Sequence, residues 1–471
     1  MNLTSQQSDI LTHIQSTPGL TMIEAKAGTG KTSMLVAIAK SLQPTNALYM
    51  AYNKKIATEA SHKFPKSVHC CTTHSLAWKP TVTAHKLKLG TFSARSITEP
   101  HLDYDQRQSF VDTFREFCLS SHTSFSDFSD ANSLPSHYQP LASKYFKLME
   151  SASIECTHEF YLKYFHILLA TNSITYPTFD LVMLDEAGDL NEVTLAIFQL
   201  LPATRKIMVG DPYQNIYTFN HTIDGFAAMA GQGSIFPMSQ SFRVADHLAA
   251  RIESFGRKYL SPDFIFTGVP STSSTITTRA FIARTNASLI AKMIELNATS
   301  TPYGLARTAK QIFETPLAVC AFKYKGFISS PELKHLQPDI DDFFESPTLQ
   351  RDYKSLYAYL RDTHPNDLAL NKTIQLIQRY GKSTIISCYE EARKHEKSCQ
   401  TLTLGTTHSL KGLEFDQVEL ADDVNESIID AINFRTLTPN VPLPLDMQTE
   451  LYLFYVACTR ARFSLINSNH L

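Results

Sequence analysis

Apolar positions along the chain fall into two kinds of run. Short, nearly continuous runs stand between polar or small residues: "TMIE" at Thr21–Glu24, "FDLVML" at Phe179–Leu184 and "KIMV" at Lys206–Val209. An unbroken apolar run of that length reads as a central parallel strand, covered on both faces, rather than a surface strand. Longer segments carry a helical period instead. One starts at about Lys31 and runs through "TSMLVAIAK"; "YDQRQSFVDTFREFCL" and "QPLASKYFKLMESA" are two more, separated by a Ser- and Asp-rich stretch, Ser120 to Pro135, that predicts a turn. Strands that alternate with helices indicate an α/β fold with parallel sheets.

Each predicted strand ends on residues able to do chemistry, at the carboxyl edge where α/β sheets bind ligands. The loop Ala25–Thr32 fits the pattern [AG]-x-x-x-x-G-K-[ST], with Ala25 in place of the first glycine. Small residues there let backbone N–H groups curl round a phosphate at a helix amino end. Ala27, Gly28, Thr29 and Gly30, followed by Lys31, Thr32 and Ser33, are therefore the expected nucleotide contacts, with Lys31 reaching the β and γ phosphates and Thr32 holding Mg²⁺. The bland alternative is a glycine-rich turn that only starts a helix. Asp185 and Glu186 close the Phe179–Leu184 run. An isolated Asp-Glu pair is more often a solvated helix cap, but here it follows an apolar strand and an upstream phosphate loop. Asp185 is then expected to organise Mg²⁺ and Glu186 to polarise an attacking water. A third tip, Gly210, Asp211 and Gln214, follows Ile207–Val209.

Composition adds limits rather than chemistry. The 471 residues are 43% hydrophobic and 19% charged, enough for two to four packed domains, and the formal charge of −2 gives no global basic footprint. The eight cysteines include no C-x-x-C pair, so no zinc or iron–sulfur site is suggested. The start "MNLTSQQSDI" lacks signal-peptide features and no apolar run reaches about 18 residues, so a cytoplasmic or nucleoplasmic protein without membrane attachment is expected.

Ten blocks in order carry a resemblance: "LTSQQ", "AKAGTGKT", "AYNKKIA", "TTHSLAW", "LDEAGD", "VGDPYQNIYTF", "QSFR", "ARTNA", "TTHSLKGLEFD" and "LFYVACTRAR". Together they make the chain resemble the UvrD/Rep/PcrA class of superfamily 1 helicases from residue 3 to residue 462. "YNKKIATEA" and "CTHEFYLKYF" are most similar to the compact branch that includes the F-box DNA helicases and phage or bacterial relatives.

The resemblance implies two RecA-like P-loop NTPase domains with parallel sheets, each with a mainly helical insertion, and ATP in the cleft between them. The expected first domain is 1–78 with 157–237, interrupted by a helical insertion at 79–156. The second is 238–324 with 398–471, interrupted by a small helical insertion at 325–397. The resemblance further assigns Gln7 to the adenine edge, with Gln6 as its alternative, Phe242 to stacking on adenine and Glu414 to the ribose. Gln214 becomes the γ-phosphate sensor, and Arg243 and Arg460 the arginines that meet the γ-phosphate. Such an arginine neutralises charge developing on the transferred phosphoryl, worth roughly 10³ to 10⁵ in rate.

A motor that holds any sequence needs backbone grip and stacking platforms. Expected grips are Asn53 and Lys54, Thr73 and His74, and Thr407, His408 and Lys411; expected stacking residues are Tyr52, Tyr217 and Phe219. The two "TTHSL" copies, Thr72–Leu76 and Thr406–Leu410, fall one in each half. The implied activity is ATP-dependent 3′ to 5′ translocation and unwinding on single-stranded, tailed or forked DNA, by a monomer that takes a separate protein partner for loading or processivity. Two other readings stand beside it: a DNA-stimulated ATPase that displaces proteins or remodels recombination intermediates with little unwinding, and a nucleotide-gated DNA-binding scaffold with weak ATPase. The scaffold reading is motivated by Gly188, where the family has glutamine, and by "FNHTID" after Tyr217. On the first of these departures, Gly188→Gln is expected to alter DNA stimulation more than basal turnover.

Overall fold

The computed structural model describes residues 3–217, 222–270, 275–365, 367–395, 401–439 and 441–471, with the side chains of 331 and 332 excepted. The chain forms two compact units, Met1–Phe242 and Arg243–Leu471.

The first unit is built on six strands in the order Val68–Thr72, Ala47–Ala51, Phe179–Leu184, Ala203–Gly210, Gly19–Ala25, Ser234–Met238, every neighbouring pair parallel. The unbroken apolar runs follow from this arrangement, because successive side chains of each strand enter two different cores. Leu181 and Met183 join Ile23, Ile207 and Val209 on one face, together with Ile10 and Ile14 of the helix Ser5–Ser16 and Leu35 and Ile38 of the helix Lys31–Leu42. Val182 and Leu184 join Met22, Leu48 and Met208 on the other. That second face is covered by Phe110 and Phe114 of Tyr104–Leu119, Tyr145 of Tyr138–Glu150 and Phe160 and Phe165 of His158–Ala170. The helices inserted into the first half thus share one core with its sheet.

The stretch Ser120 to Pro135, expected as a turn, contains the helix Phe125–Ala131. Its Ser and Asp content starts that helix: Ser124 accepts the Asp127 N–H at the N-cap, and Phe128 anchors it against Phe117 with ring centroids 5.7 Å apart. Lys163, fully buried, fixes the preceding segment by donating to the carbonyl oxygens of Ser120 (2.8 Å) and His122 (2.5 Å).

The second unit holds five parallel strands in the order Gly304–Leu305, Leu402–Thr406, Arg279–Ala283, Phe415–Leu420, Ala461–Ile466. Within its inserted part lie the helices Gln337–Glu345, Tyr353–Thr363, Leu368–Tyr380 and Lys382–His395, the last two packed on Ala309–Cys320. Parallel strands put all their carboxyl ends on one edge, so in the first unit the phosphate loop, the Asp185–Glu186 tip and the Asp211 tip emerge side by side.

Candidate nucleotide and nucleic-acid site

The phosphate loop leaves the strand Gly19–Ala25 and is tied back at once: Lys26 N–H donates to the Met238 carbonyl at 3.0 Å, and the Lys26 carbonyl accepts from Thr29 N–H and the Thr29 hydroxyl. Gly28 (φ 74°) and Gly30 (φ 83°) then take left-handed conformations that a Cβ would disfavour, and Gly30 delivers Lys31 to the first position of the helix Lys31–Leu42. Ala27 and Thr29 are buried, while Thr32 and Ser33 occupy the first turn. Amide groups at that turn lack helical partners, which makes it a place for an anion.

Asp185 follows the apolar strand Phe179–Leu184, which lies one strand beyond Ala203–Gly210. It is buried, accepts the Tyr49 hydroxyl at 2.6 Å and receives the Glu186 N–H at 2.9 Å. Burial, then the charge of Glu186, push the Asp185 carboxyl above its ordinary range against the pull of Lys31. Glu186 sits at φ 57°, a left-handed conformation that costs a non-glycine residue of order 1 kcal/mol and is held by the loop around it. Its carboxylate lies 2.8 Å from Lys31 Nζ. Burial alone would weaken the Lys31 charge, but the fields of Glu186, Asp185 and Asp211 outweigh it and raise the pKa. One amine thus faces three carboxylates. That donor set fits a divalent cation and is a poor place for a nucleotide without one, so Thr32 and Asp185 remain fitting residues to hold Mg²⁺.

The third tip is packed onto the second. Ala187 N–H donates to the Val209 carbonyl and Gly225 N–H to the Ala187 carbonyl. A Cβ on Gly188 would overlap the Asp211 carbonyl oxygen, and one on Gly210 would lie within 2.7 Å of the amide nitrogens of Ala187 and Gly188. These glycines permit backbone to touch backbone. Asp211 caps the short turn Pro212–Gln214 and accepts the Gln214 side-chain amide at 3.0 Å.

Gln7 and Phe242 both border Gly30. Gln7 is buried, with its amide oxygen accepting Thr4 N–H and its amide nitrogen donating to the Thr29 carbonyl; Gln6 pairs with Ser239. Phe242 donates its N–H to the Gly28 carbonyl and leaves a half-exposed ring beside the loop. In the second unit, Arg243 pairs with Glu414 at 2.5 Å, so these two predicted nucleotide contacts occupy each other. Arg460 is buried and donates to the carbonyl oxygens of Val456 and Leu413 and to the Thr459 hydroxyl.

A cavity of about 400 Å³ in the first unit is lined by Asp185, Glu186 and Asp189 together with Tyr52, Thr73, His74 and Tyr217. Four residues expected to meet nucleic acid are thereby gathered beside the carboxylates. Sequence reading missed Arg115, His158 and Glu159, which also line it and come from helices far apart in the chain. His74 hydrogen-bonds the Tyr161 hydroxyl at 3.0 Å, and burial, then nearby His158, lower its pKa. Tyr52, Asn53 and Lys54 are exposed, and Asn53 uses its side-chain oxygen to cap the helix Lys54–Ser61. Phe219 lies outside the described residues.

The two "TTHSL" copies fold alike. In each, the first threonine ends a strand and caps a short helix, Thr72 before Thr73–Trp78 and Thr406 before Thr407–Leu410. The second threonine, Thr73 or Thr407, is buried rather than displayed. His408 and Lys411 lie in and just after the second of these helices, both half-buried.

Comparison with known proteins matches residues 7–220 to a family described as an AAA domain and residues 334–471 to one described as a UvrD-like helicase C-terminal domain. The chain is 24% identical to F-box DNA helicase protein 1 of Schizosaccharomyces pombe, over 98% of this chain and 57% of that protein. It is 23% identical to F-box DNA helicase 1 of Gallus gallus, over 100% of this chain and 49% of that one, so it spans about half the length of these relatives. The match at 7–220 and the match at 334–471, which fall on the two parallel α/β sheets, together with these relatives support a UvrD-like superfamily 1 helicase.

Proposed function

We propose that the chain is an ATP-driven motor that moves 3′ to 5′ on single-stranded DNA and separates tailed or forked duplexes. The observation that carries this reading is the Lys31 amine held 2.8 Å from Glu186, beside buried Asp185 and at the mouth of a glycine-hinged loop. When bound, Mg²⁺ supplies positive charge to the phosphate oxygens, and Thr32 and Asp185 are the residues that hold it. Lys31 cannot neutralise Glu186 and a triphosphate equally. Its move toward phosphate leaves the Glu186 carboxylate free to take a proton from water. Gln214 reports on the γ-phosphate through its turn, Arg243 and Arg460 stabilise charge on the transferred group, and Gln7, Phe242 and Glu414 hold the nucleoside.

The DNA track is gripped by Asn53, Lys54, Thr73, His74, Thr407, His408 and Lys411 and stacked by Tyr52, Tyr217 and Phe219. The cavity that joins four of these to Asp185 and Glu186 supports this placement, as do two relatives that are named DNA helicases. The motor works as a monomer, with a separate protein for loading. Among the described residues no helix is long and apolar enough to cross a membrane.

The test is ATP turnover with single-stranded DNA, single-stranded RNA or neither, beside strand displacement from 3′-tailed and 5′-tailed duplexes. Turnover indifferent to DNA would sink the motor reading, and unwinding from 5′ tails alone would sink the polarity. Stimulated turnover that strips bound protein but separates no strands would favour the remodelling ATPase.

A further inference from the structure

A long cationic side chain is out of pattern inside the small-residue loop "AKAGTGK", yet Lys26 is there and is more than nine-tenths buried. Its Nζ lies 4.2 Å from the centroid of the Tyr213 ring, a cation–π distance. Tyr213 is the middle residue of the turn Pro212–Gln214 and donates its N–H to Asp211, the same carboxylate that accepts the Gln214 amide. At its other end the Lys26 main chain is fixed between Met238 and Thr29. Strand register explains the meeting: Glu24 pairs with Gly210, so the two chains leave the sheet side by side, and Lys26 and Tyr213 lie just past its edge.

We propose that Lys26 is a positioning residue that ties the phosphate loop to the Gln214 turn through the Tyr213 ring, so that the state of the loop is transmitted to Gln214. This rests on the reading of the loop as the nucleotide site of a DNA-stimulated ATPase. The loop and the turn are otherwise successive tips of neighbouring strands. Lys26 is a side chain of one seated on a side chain of the other, which makes it a lever as well as a filler. A shift of the loop backbone around bound phosphate moves the base of this lever, and the desolvated ammonium keeps its hold on the ring face.

The experiment measures nucleotide affinity with a fluorescent ATP analogue, and turnover with and without single-stranded DNA, in the full chain and in Lys26→Met, Lys26→Arg, Tyr213→Leu, Tyr213→Phe and the Met/Leu double variant. Lys26→Met keeps length and loses charge; Tyr213→Leu loses the ring. Each is expected to lower the factor by which DNA raises turnover by about tenfold, within the usual range of coupling between sites, with a smaller fall in basal turnover. Lys26→Arg and Tyr213→Phe, which keep cation and ring, should restore most of the stimulation. The double variant should be no worse than either single one. Equal falls in basal and stimulated turnover, additive effects in the double variant, or an unaltered Lys26→Met would overturn the proposal while leaving the motor reading intact. A wild-type chain whose turnover ignores DNA would overturn the motor reading and this inference with it.

Discussion

Gly188 lies so close to Asp211 that a side-chain carbon at 188 would overlap the Asp211 carbonyl oxygen. The relationship revises the expectation that Gly188→Gln acts mainly on DNA coupling. A glutamine cannot enter without displacing the Asp211–Gln214 segment, which caps its own turn and holds the Gln214 amide. Gly188→Ala should therefore destabilise the first unit by about 1–3 kcal/mol, as overpacking does, and should lower basal and DNA-stimulated turnover together. Thermal unfolding and ATPase assays on Gly188→Ala check this; an alanine with unchanged melting and selectively altered stimulation would refute it.

The Lys31–Glu186 ion pair predicts an asymmetry between its partners. With Lys31 as the proposed phosphate ligand, Lys31→Ala also leaves Glu186 and Asp185 without the amine that offsets their charge, so nucleotide affinity and turnover should both collapse. Glu186→Gln keeps shape and removes the base, so turnover should fall by about 10²- to 10⁴-fold while nucleotide still binds. Equilibrium binding beside turnover separates the two. Nucleotide binding lost in Glu186→Gln would mean that the glutamate builds the site rather than acting in it.

Lys163 predicts a pH dependence of stability. Burial lowers its pKa to about 8, against the opposing pull of Cys118 and Glu192. Between pH 8 and 10.5 the unfolded chain binds more of this proton than the folded one, so stability rises with pH through that window. The charged form costs the fold about 3 kcal/mol at most below pH 8, offset by its bonds to Ser120 and His122. Chemical denaturation of wild type and Lys163→Met from pH 7 to 10 should show the wild type gaining on the variant as pH rises. Parallel curves would show that Lys163 finds solvent or a counter-charge.

What the sequence disclosed divides along physical lines. Local periodicity placed the helix Tyr104–Leu119 at its observed bounds and the start of the helix at Lys31, because amphipathic spacing and a glycine before a lysine act within one or two turns. The strand Phe179–Leu184 was legible because it is buried on both faces. The helix Phe125–Ala131 was not, since its Ser and Asp residues suit a cap and a turn equally. Arg115, His158 and Glu159 left no local signal, because only the packing of two helices on one sheet face brings them to the cavity. The close approach of Gly188 to Asp211 was hidden for the same reason: a spacing curiosity in one loop is explained by the backbone of another.

Thr407 offers the sharpest test of the DNA surface. Its hydroxyl oxygen is buried, and among the described residues it has no hydrogen-bond partner. A buried polar atom left unsatisfied costs about 1–3 kcal/mol and calls for a reason. If the reason is packing alone, Thr407→Val, which keeps the shape and deletes the hydroxyl, should stabilise the fold and leave DNA affinity untouched. If the hydroxyl waits for a backbone phosphate, the same variant should stabilise the free protein yet weaken single-stranded DNA binding by about 5- to 10-fold, the worth of one neutral hydrogen bond. The proposed grip predicts the second result, with the loss uniform across DNA sequences because phosphate carries no sequence information. Melting temperature and DNA affinity measured on the same preparation of Thr407→Val decide between them, and a stabilised variant with wild-type affinity would remove Thr407 from the track.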